Sequence, residues 1–131
     1  MNQLADSRWR VRDDAREVTG EAAVALLRAR GAGGPAEIWF ERDDGRLMSV
    51  TSNGERAMVM LLRESGDPGE HAIDPGASGE QDGYVLSNGQ NDVYPDHDTI
   101  PLATALRVVE HVIDRGQPPS DVEWQVDRGP E

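Results

Sequence analysis

The spacing of apolar residues near the end of the chain predicts an amphipathic helix that opens at Pro101 and stops at Gly116. Its apolar positions recur at three- and four-residue steps: Leu102, Ala105, Leu106, Val109, Val112 and Ile113. Proline suits the first helical position because its missing N–H would have had no partner there, and glycine tolerates the left-handed conformation that closes helices. After the prolines at 118 and 119, alternation predicts a strand that buries Val122, Trp124 and Val126.

A second apolar pattern predicts an earlier helix of about three turns. Thr19 is the expected N-cap, with Glu21 in the first turn, and Gly31 together with residues 33–35 is expected to end the helix. Its apolar positions are Ala23, Val24, Leu26 and Leu27. Residues 9–12 alternate apolar and basic side chains, which indicates a short extended segment, and we expect residues 1–7 to fray.

Two turn signals set the register of the segments that follow the first helix. Residues 43–45, Asp-Asp-Gly, predict a three-residue hairpin loop, and Asn53-Gly54 predicts a two-residue one. Pairing outward from these turns gives Phe40 with Met48, Ile38 with Val50, Val50 with Ala57, and Met48 with Val59. Both registers place one set of residues on a core face that the two helices should cover: Ile38, Phe40, Met48, Val50, Ala57 and Val59.

The opposite side of this three-stranded meander, which we call the second face, mixes polar and apolar residues. Its members are Glu37, Trp39, Glu41, Leu47, Ser49, Thr51, Met58, Met60 and Leu62. Two interpretations are open: more of the chain folds over this face, or a partner covers it. Aromatic residues such as Trp39 are enriched at the centres of protein interfaces, although a partly covered tryptophan on a sheet is also ordinary.

The segment 65–82 is rich in Gly, Pro, Asp and Glu and predicts a long acidic loop. A binding role and disorder are both compatible with that composition. Beyond it, apolar residues at 84–86 and 93–94 flank Asn88-Gly89 and predict another hairpin. Together the elements indicate an α+β fold over residues 1–131, a single domain with a mostly antiparallel sheet and two helices packed on one face.

Charge is the most informative property of the composition. The chain has a formal net charge of −12, and its basic residues are all arginine. Nucleic acids and anionic membranes bind cationic surfaces, so neither is expected as a direct partner, whereas a basic protein suits this surface. Solubility alone is the other explanation for the acidity. Without cysteine there is neither a disulfide framework nor a thiolate site, and the absence of a signal-like or membrane-spanning run leads us to expect a cytoplasmic location.

Signals for catalysis or metal binding are weak. The candidate ligands are His97 with Asp98 and Glu110 with His111, but adjacent helical residues do not share a face as helical metal motifs require. No glycine run has phosphate-binding spacing and no serine stands in a nucleophile elbow. We therefore expect no cofactor and no enzymatic activity. A small metal-dependent enzyme using these residues is one alternative function, and a stand-alone ligand-binding or regulatory domain is another.

The order of the elements and four short motifs resemble immunity protein family one of bacterial polymorphic toxin systems. The motifs are Ile100-Pro101, Ala105-Leu106, Gly116-Gln117-Pro118-Pro119 and Val122-Glu123-Trp124. The resemblance spans roughly residues 18–126 and is most specific after Thr99. It implies an α+β protein that binds and neutralises a cognate toxin domain, with nucleic-acid deaminases prominent among such toxins. It supplies no catalytic residues, and the motif residues themselves look structural.

An acidic protein of this kind is expected to block the basic substrate cleft of a toxin that acts on nucleic acid. The candidate partner-binding residues lie in the acidic segment and on the second face: Asp67, Glu70, Asp74, Glu80 and Asp82, with Glu37, Trp39, Glu41, Met58 and Met60. The sequence does not choose between the two regions.

Overall fold

The computed structural model describes residues 8–13, 15–30 and 36–129. Its elements, in chain order, are β1 (Trp9–Val11), β2 (Arg16–Glu17), α1 (Gly20–Arg30), β3 (Glu37–Arg42), β4 (Leu47–Ser52), β5 (Arg56–Leu62), β6 (Glu70–Ile73), β7 (Glu80–Val85), β8 (Asn91–Pro95), β9 (Ile100–Pro101), α2 (Leu102–Arg115) and β10 (Glu123–Val126). A short 3-10 helix, Asp96–Asp98, stands between β8 and β9.

One antiparallel sheet organises the molecule, in the order β10-β6-β5-β4-β3-β1-β2, and β9 pairs with the beginning of β5. Strands β7 and β8 form a separate hairpin, as the pattern around Asn88-Gly89 predicts. Both helices pack on one side of the large sheet, where residues of β1, β3, β4, β5, α1 and α2 share a core. The α+β architecture predicted from the sequence is therefore confirmed.

Helix α2 matches its sequence pattern closely. It buries Ala105, Leu106, Val108, Val109 and Val112 and ends at Gly116, whose φ of 84° is left-handed and whose N–H bonds to the Val112 carbonyl at 2.7 Å. Pro101 stands at the N-cap, one residue before the position predicted for it. Because proline lacks an N–H, it adds no unpaired donor of its own at either position.

Helix α1 begins with two separate caps. Thr19 is confirmed as a cap, because its hydroxyl oxygen accepts the N–H of Ala22 at 3.1 Å. The N–H of Gly20 is donated instead to the Asp114 carboxylate of α2, at 2.9 Å. The residues expected to end this helix, at 31 and 33–35, lie outside the described residues, as do residues 1–7. The extended segment predicted at 9–12 is confirmed as β1.

The first predicted hairpin register is confirmed, and the second is wrong by two residues. Val50 pairs with Val59 and Met48 with Leu61, so the last pair is Ser52 with Ala57 and residues 53–56 connect the two strands. The cause is Asn53, whose side-chain oxygen accepts the N–H groups of Glu55 at 2.9 Å and Arg56 at 2.8 Å. A two-residue shift preserves the face of every side chain, and all six predicted core residues are buried.

The prediction of a long acidic loop over residues 65–82 is wrong. The segment contains β6, which lies inside the sheet between β5 and β10, and the beginning of β7. The Asp-Pro-Gly sequence at 74–76 forms a turn directly after β6, whereas the one at 67–69 is irregular backbone that leads into β6. The segment is a strand because it pairs with the preceding strand β5 on one side and with β10, the last strand of the chain, on the other. Its composition alone favours a loop.

The last strand, β10, is present as predicted, and Val122 and Trp124 pack against the core. Val126 was expected to be buried with them, but it is 58% exposed. It lies at the end of the outermost strand, where only β6 stands beside it. In the part of the chain that the structure describes, no helix is both long and apolar enough to cross a membrane.

Candidate functional site

The second face continues across five strands of the sheet. Cross-strand pairing aligns one row of residues on it: Trp39, Ser49, Met60, His71 and Gln125. Part of this face is closed by the β7–β8 hairpin, which contacts β4. The Val85 carbonyl of the hairpin accepts the Ala36 N–H at 3.1 Å, and the Ser87 N–H is donated to the Glu37 carboxylate at 2.9 Å. Tyr84 of the hairpin is fully buried, with its ring centroid 4.7 Å from that of Tyr94. The interpretation that the chain folds over this face is thus confirmed for the part nearest the hairpin.

Arg56 connects the sheet to the segments that cross the second face. Its guanidinium donates to the Asp74 carboxylate at 2.7 Å, to the Thr99 hydroxyl at 2.8 Å, and to the Thr99 and Asp96 carbonyls at 3.0 and 3.1 Å. The side chain is only 13% exposed. Such a charge is stable at low exposure because the Nε and Nη2 donors have acceptors, among them the carboxylate of Asp74. Asp74, a predicted partner-binding residue, is thereby committed to an internal ion pair.

His71 forms a second internal ionic cluster, between two carboxylates. Its Nδ1 lies 2.7 Å from Asp127 and its Nε2 lies 3.0 Å from Asp98, and the imidazole is buried. Burial by itself would lower the pKa of His71, but the hydrogen bonds to Asp127 and Asp98 together outweigh it and raise the pKa above its ordinary value. The cluster joins β6, the residue after β10 and the 3-10 helix. Sequence reasoning missed it because the three residues lie far apart in the chain.

Arg128 forms ion pairs with two more of the predicted partner-binding residues. Its guanidinium bonds to both carboxylate oxygens of Asp67, at 2.9 and 3.0 Å, and to Glu70 at 3.0 Å. The Arg128 hydrogen bond is the main reason that the pKa of Asp67 is lowered. Asp67 and Glu70 therefore hold the segment after β10 against the beginning of β6. Because both carboxylates are paired within the chain, they are poorly placed to attract a partner.

The predicted residues of β3 and β5 are partly exposed on the second face: Glu37, Trp39, Glu41, Met58 and Met60. The indole N–H of Trp39 is donated to Glu37 at 3.1 Å, and the Arg12 guanidinium lies 5.9 Å from the Trp39 ring centre. These contacts hold Trp39 in place on the sheet.

Glu80 and Asp82 lie together, in a groove of about 660 Å³ between the β4–β5 turn and the hairpin. The groove is lined by Asn53, Glu55, Glu80, Gln81, Asp82, Gly83 and Val93. Within the described residues none of its three carboxylates has an arginine at ion-pair distance, and Val93 is 52% exposed. Glu55 was not among the predicted residues. Its position beside the Asn53-Gly54 turn signal was the only indication that it would be exposed.

Three of the residues considered for metal binding, His97, Asp98 and His111, are engaged in other contacts. Asp98 bonds to His71, with His97 3.3 Å away, and the His111 Nδ1 lies 2.6 Å from the Gln117 carbonyl. Across residues 8–13, 15–30 and 36–129, no cluster of three or more His, Asp or Glu side chains is arranged to hold a metal ion.

Comparison with known proteins adds one finding. A family model described as Immunity protein Imm1 matches residues 10–126, which is most of the chain. No curated protein and no solved structure matches this sequence. The matched range includes the sheet, both helices and the groove lined by Glu55, Glu80 and Asp82, which we call the acidic groove.

Proposed function

The chain belongs to the Imm1 family of immunity proteins, and we propose that it protects its own cell by binding a cognate toxin domain that acts on nucleic acid and blocking that domain's active site. Membership of the family is the observation that carries this proposal. It points to an inhibitor and not to an enzyme. A deaminase-type toxin is favoured, as for the systems that the sequence resembles.

The net charge of −12 supports the choice of a nucleic-acid-directed toxin. Such a toxin needs a cationic cleft to hold the phosphate backbone, and an acidic protein competes for that cleft by charge complementarity. Direct nucleic-acid or membrane binding by this chain itself is disfavoured for the same reason.

The acidic groove is the contact surface that we assign to this function. Asp67, Glu70 and Asp74 are already paired with arginines of the same chain. Glu55, Glu80 and Asp82 are open to solvent and carry charge that a basic partner would neutralise. The exposed side chain of Val93 offers an apolar contact beside them. Trp39, Met58 and Met60 are candidates for the edge of the same contact.

A charge-matched pair of variants tests this assignment. Glu55→Gln/Glu80→Gln/Asp82→Asn removes three charges from the groove, and Asp13→Asn/Glu21→Gln/Glu64→Gln removes three exposed charges elsewhere. Calorimetric titration against the toxin domain encoded beside this chain should show a loss of roughly a hundredfold in affinity for the groove variant. The control variant should bind within a few-fold of the wild type. Equal affinities for all three proteins would exclude the groove.

A further inference from the structure

Strand β10 forms one edge of the large sheet, and its outer side is unpaired in the described chain. Asp127 donates its backbone N–H to the Gly69 carbonyl at 2.9 Å, on the β6 side. Backbone groups alternate in direction along an antiparallel strand, so those of Gln125 and Glu123 also face β6. The N–H and C=O groups of Trp124 and Val126 consequently point away from the sheet.

The other sheet edges are protected in ways that β10 is not. Natural proteins protect edges by keeping them very short or by using lysine, proline or β-bulges. Strand β2 at the opposite edge has two residues, β9 contains Pro101, and the β7–β8 hairpin has an irregular register and ends at Pro95. Strand β10 pairs with β6 in an unbroken register over four residues, contains no proline and has a single charged side chain, that of Glu123. It is therefore competent to accept another strand.

The side chains of β10 indicate the chemistry of that strand. Glu123 is exposed and has no ion pair within the described residues, whereas Val126 on the other face is 58% exposed. A strand alongside would be stabilised by a basic residue next to Glu123 and an apolar residue next to Val126. A second copy of this chain would bring another net charge of −12 and place acidic residues near Glu123. Charge thus favours a basic partner over self-association.

We propose that β10 receives an extended segment of the toxin, with alternating basic and apolar residues, as an added strand of the sheet. This inference rests on the proposed function and goes beyond it by naming the mode of recognition. Main-chain hydrogen bonds to Trp124 and Val126 would supply affinity, and side chains next to Glu123 and Val126 would supply specificity.

Amide hydrogen exchange of the labelled protein, alone and with the neighbouring gene's toxin domain, tests the proposal at single residues. The amides of Trp124 and Val126 should exchange quickly in the free protein and at least roughly tenfold more slowly in the complex. The Gln125 amide, which is bonded to β6, is the internal control and should be slow in both. Unchanged exchange at Trp124 and Val126 in a formed complex would overturn the edge proposal alone.

Two variants at one position provide a second test. Val126→Pro removes the outward N–H without removing a bond to β6, and Val126→Thr keeps that N–H. Calorimetry should show roughly tenfold weaker toxin binding for the proline variant, about the value of one backbone hydrogen bond, and little change for the threonine variant. Should the proline variant not fold, the exchange result decides.

The outcomes separate the two proposals. A wild-type chain that does not bind the toxin domain would overturn the proposed function and this inference together. A wild-type chain that binds while Val126→Pro binds equally well would overturn only the edge inference. A dimer of the free protein with protected Trp124 and Val126 amides would assign the edge to a second copy and also overturn it.

Discussion

Arg56 shows how single residues hold this fold together. Its guanidinium is mostly buried and donates hydrogen bonds to the Asp74 carboxylate, the Thr99 hydroxyl and the carbonyls of Thr99 and Asp96. Removing one partner of such a cluster leaves the others without compensation, which is costly because they cannot be rehydrated fully. The residue therefore contributes to stability through the groups that it satisfies.

The variant Arg56→Met should lower the free energy of unfolding by about 3 kcal/mol, because it leaves the Asp74 carboxylate and the Thr99 carbonyl without the donor that Arg56 supplies. Arg56→Lys, which keeps the charge but loses the planar array of donors, should lie between the methionine variant and the wild type. Urea denaturation measures both. A methionine variant as stable as the wild type would contradict the role given to Arg56.

His71 makes stability depend on pH in a defined direction. Because the pKa of His71 is raised in the folded protein, its contribution is complete below the unfolded-state value, near ~6.5, and is lost as the pH rises through the folded-state value. Asp98 and Asp127 are its partners, and His97 is the further titratable group beside Asp98. The cluster thus stabilises the protein most in mildly acidic solution.

Denaturation across this pH range should show the free energy of unfolding falling as the pH increases from about 6 to 8. His71→Gln should lose most of that fall, because glutamine does not titrate. His97→Gln, the matched control on the same cluster, should retain it. An identical pH profile for wild type and His71→Gln would show that another group is responsible.

At the scale of elements, strand β6 shows what local sequence does not reveal. Glu70 and His71 read as loop residues because they are polar, but Arg128 and Asp127, which satisfy them, are 58 and 56 residues away. By contrast, α2 and the first hairpin were predictable because their apolar spacing and turn residues are local. The second hairpin register was not, since the Asn53 side chain bonds to the N–H groups of Glu55 and Arg56 and the loop is two residues longer than predicted.

The conformation of Gly69, directly before β6, predicts how stability responds to substitution there. Gly69 has a φ of 81°, and a Cβ there would lie 2.8 Å from the Leu61 carbonyl and 3.1 Å from the Leu62 side chain. Gly69→Ala should therefore cost at least about 1–2 kcal/mol of unfolding free energy. Gly76→Ala, in the Asp-Pro-Gly turn after β6, where there is open space and no left-handed φ, should be nearly neutral. Thermal unfolding measures both variants, and equal midpoint temperatures for the two would contradict the strain assigned to Gly69→Ala.

The candidate site was predictable only in part, because ion pairs between residues that are far apart in the sequence cannot be read from local composition. Glu80 and Asp82 were chosen for their charge and do line the groove, together with the unpredicted Glu55. Asp67, Glu70 and Asp74 were chosen on the same ground, yet they are paired with arginines that lie elsewhere in the chain. Composition reports charge, whereas only the tertiary structure shows which charges are already neutralised.

At the scale of the whole molecule, the net charge of −12 should govern how fast the protein meets a basic partner. Electrostatic steering accelerates association and is screened by salt. Stopped-flow mixing with the toxin domain should show an association rate constant that falls by roughly tenfold or more between 0.02 and 0.5 M salt. The dissociation rate should change much less. A salt-independent association rate would contradict steering by charge.

The central claim is that this member of the Imm1 family neutralises a toxin encoded beside it. The most direct measurement is growth of cells that express the neighbouring gene's toxin domain, with and without this chain. The account predicts that the toxin domain alone stops growth and that co-expression of the wild-type chain restores it. Arrested growth despite abundant, folded immunity protein would contradict the claim.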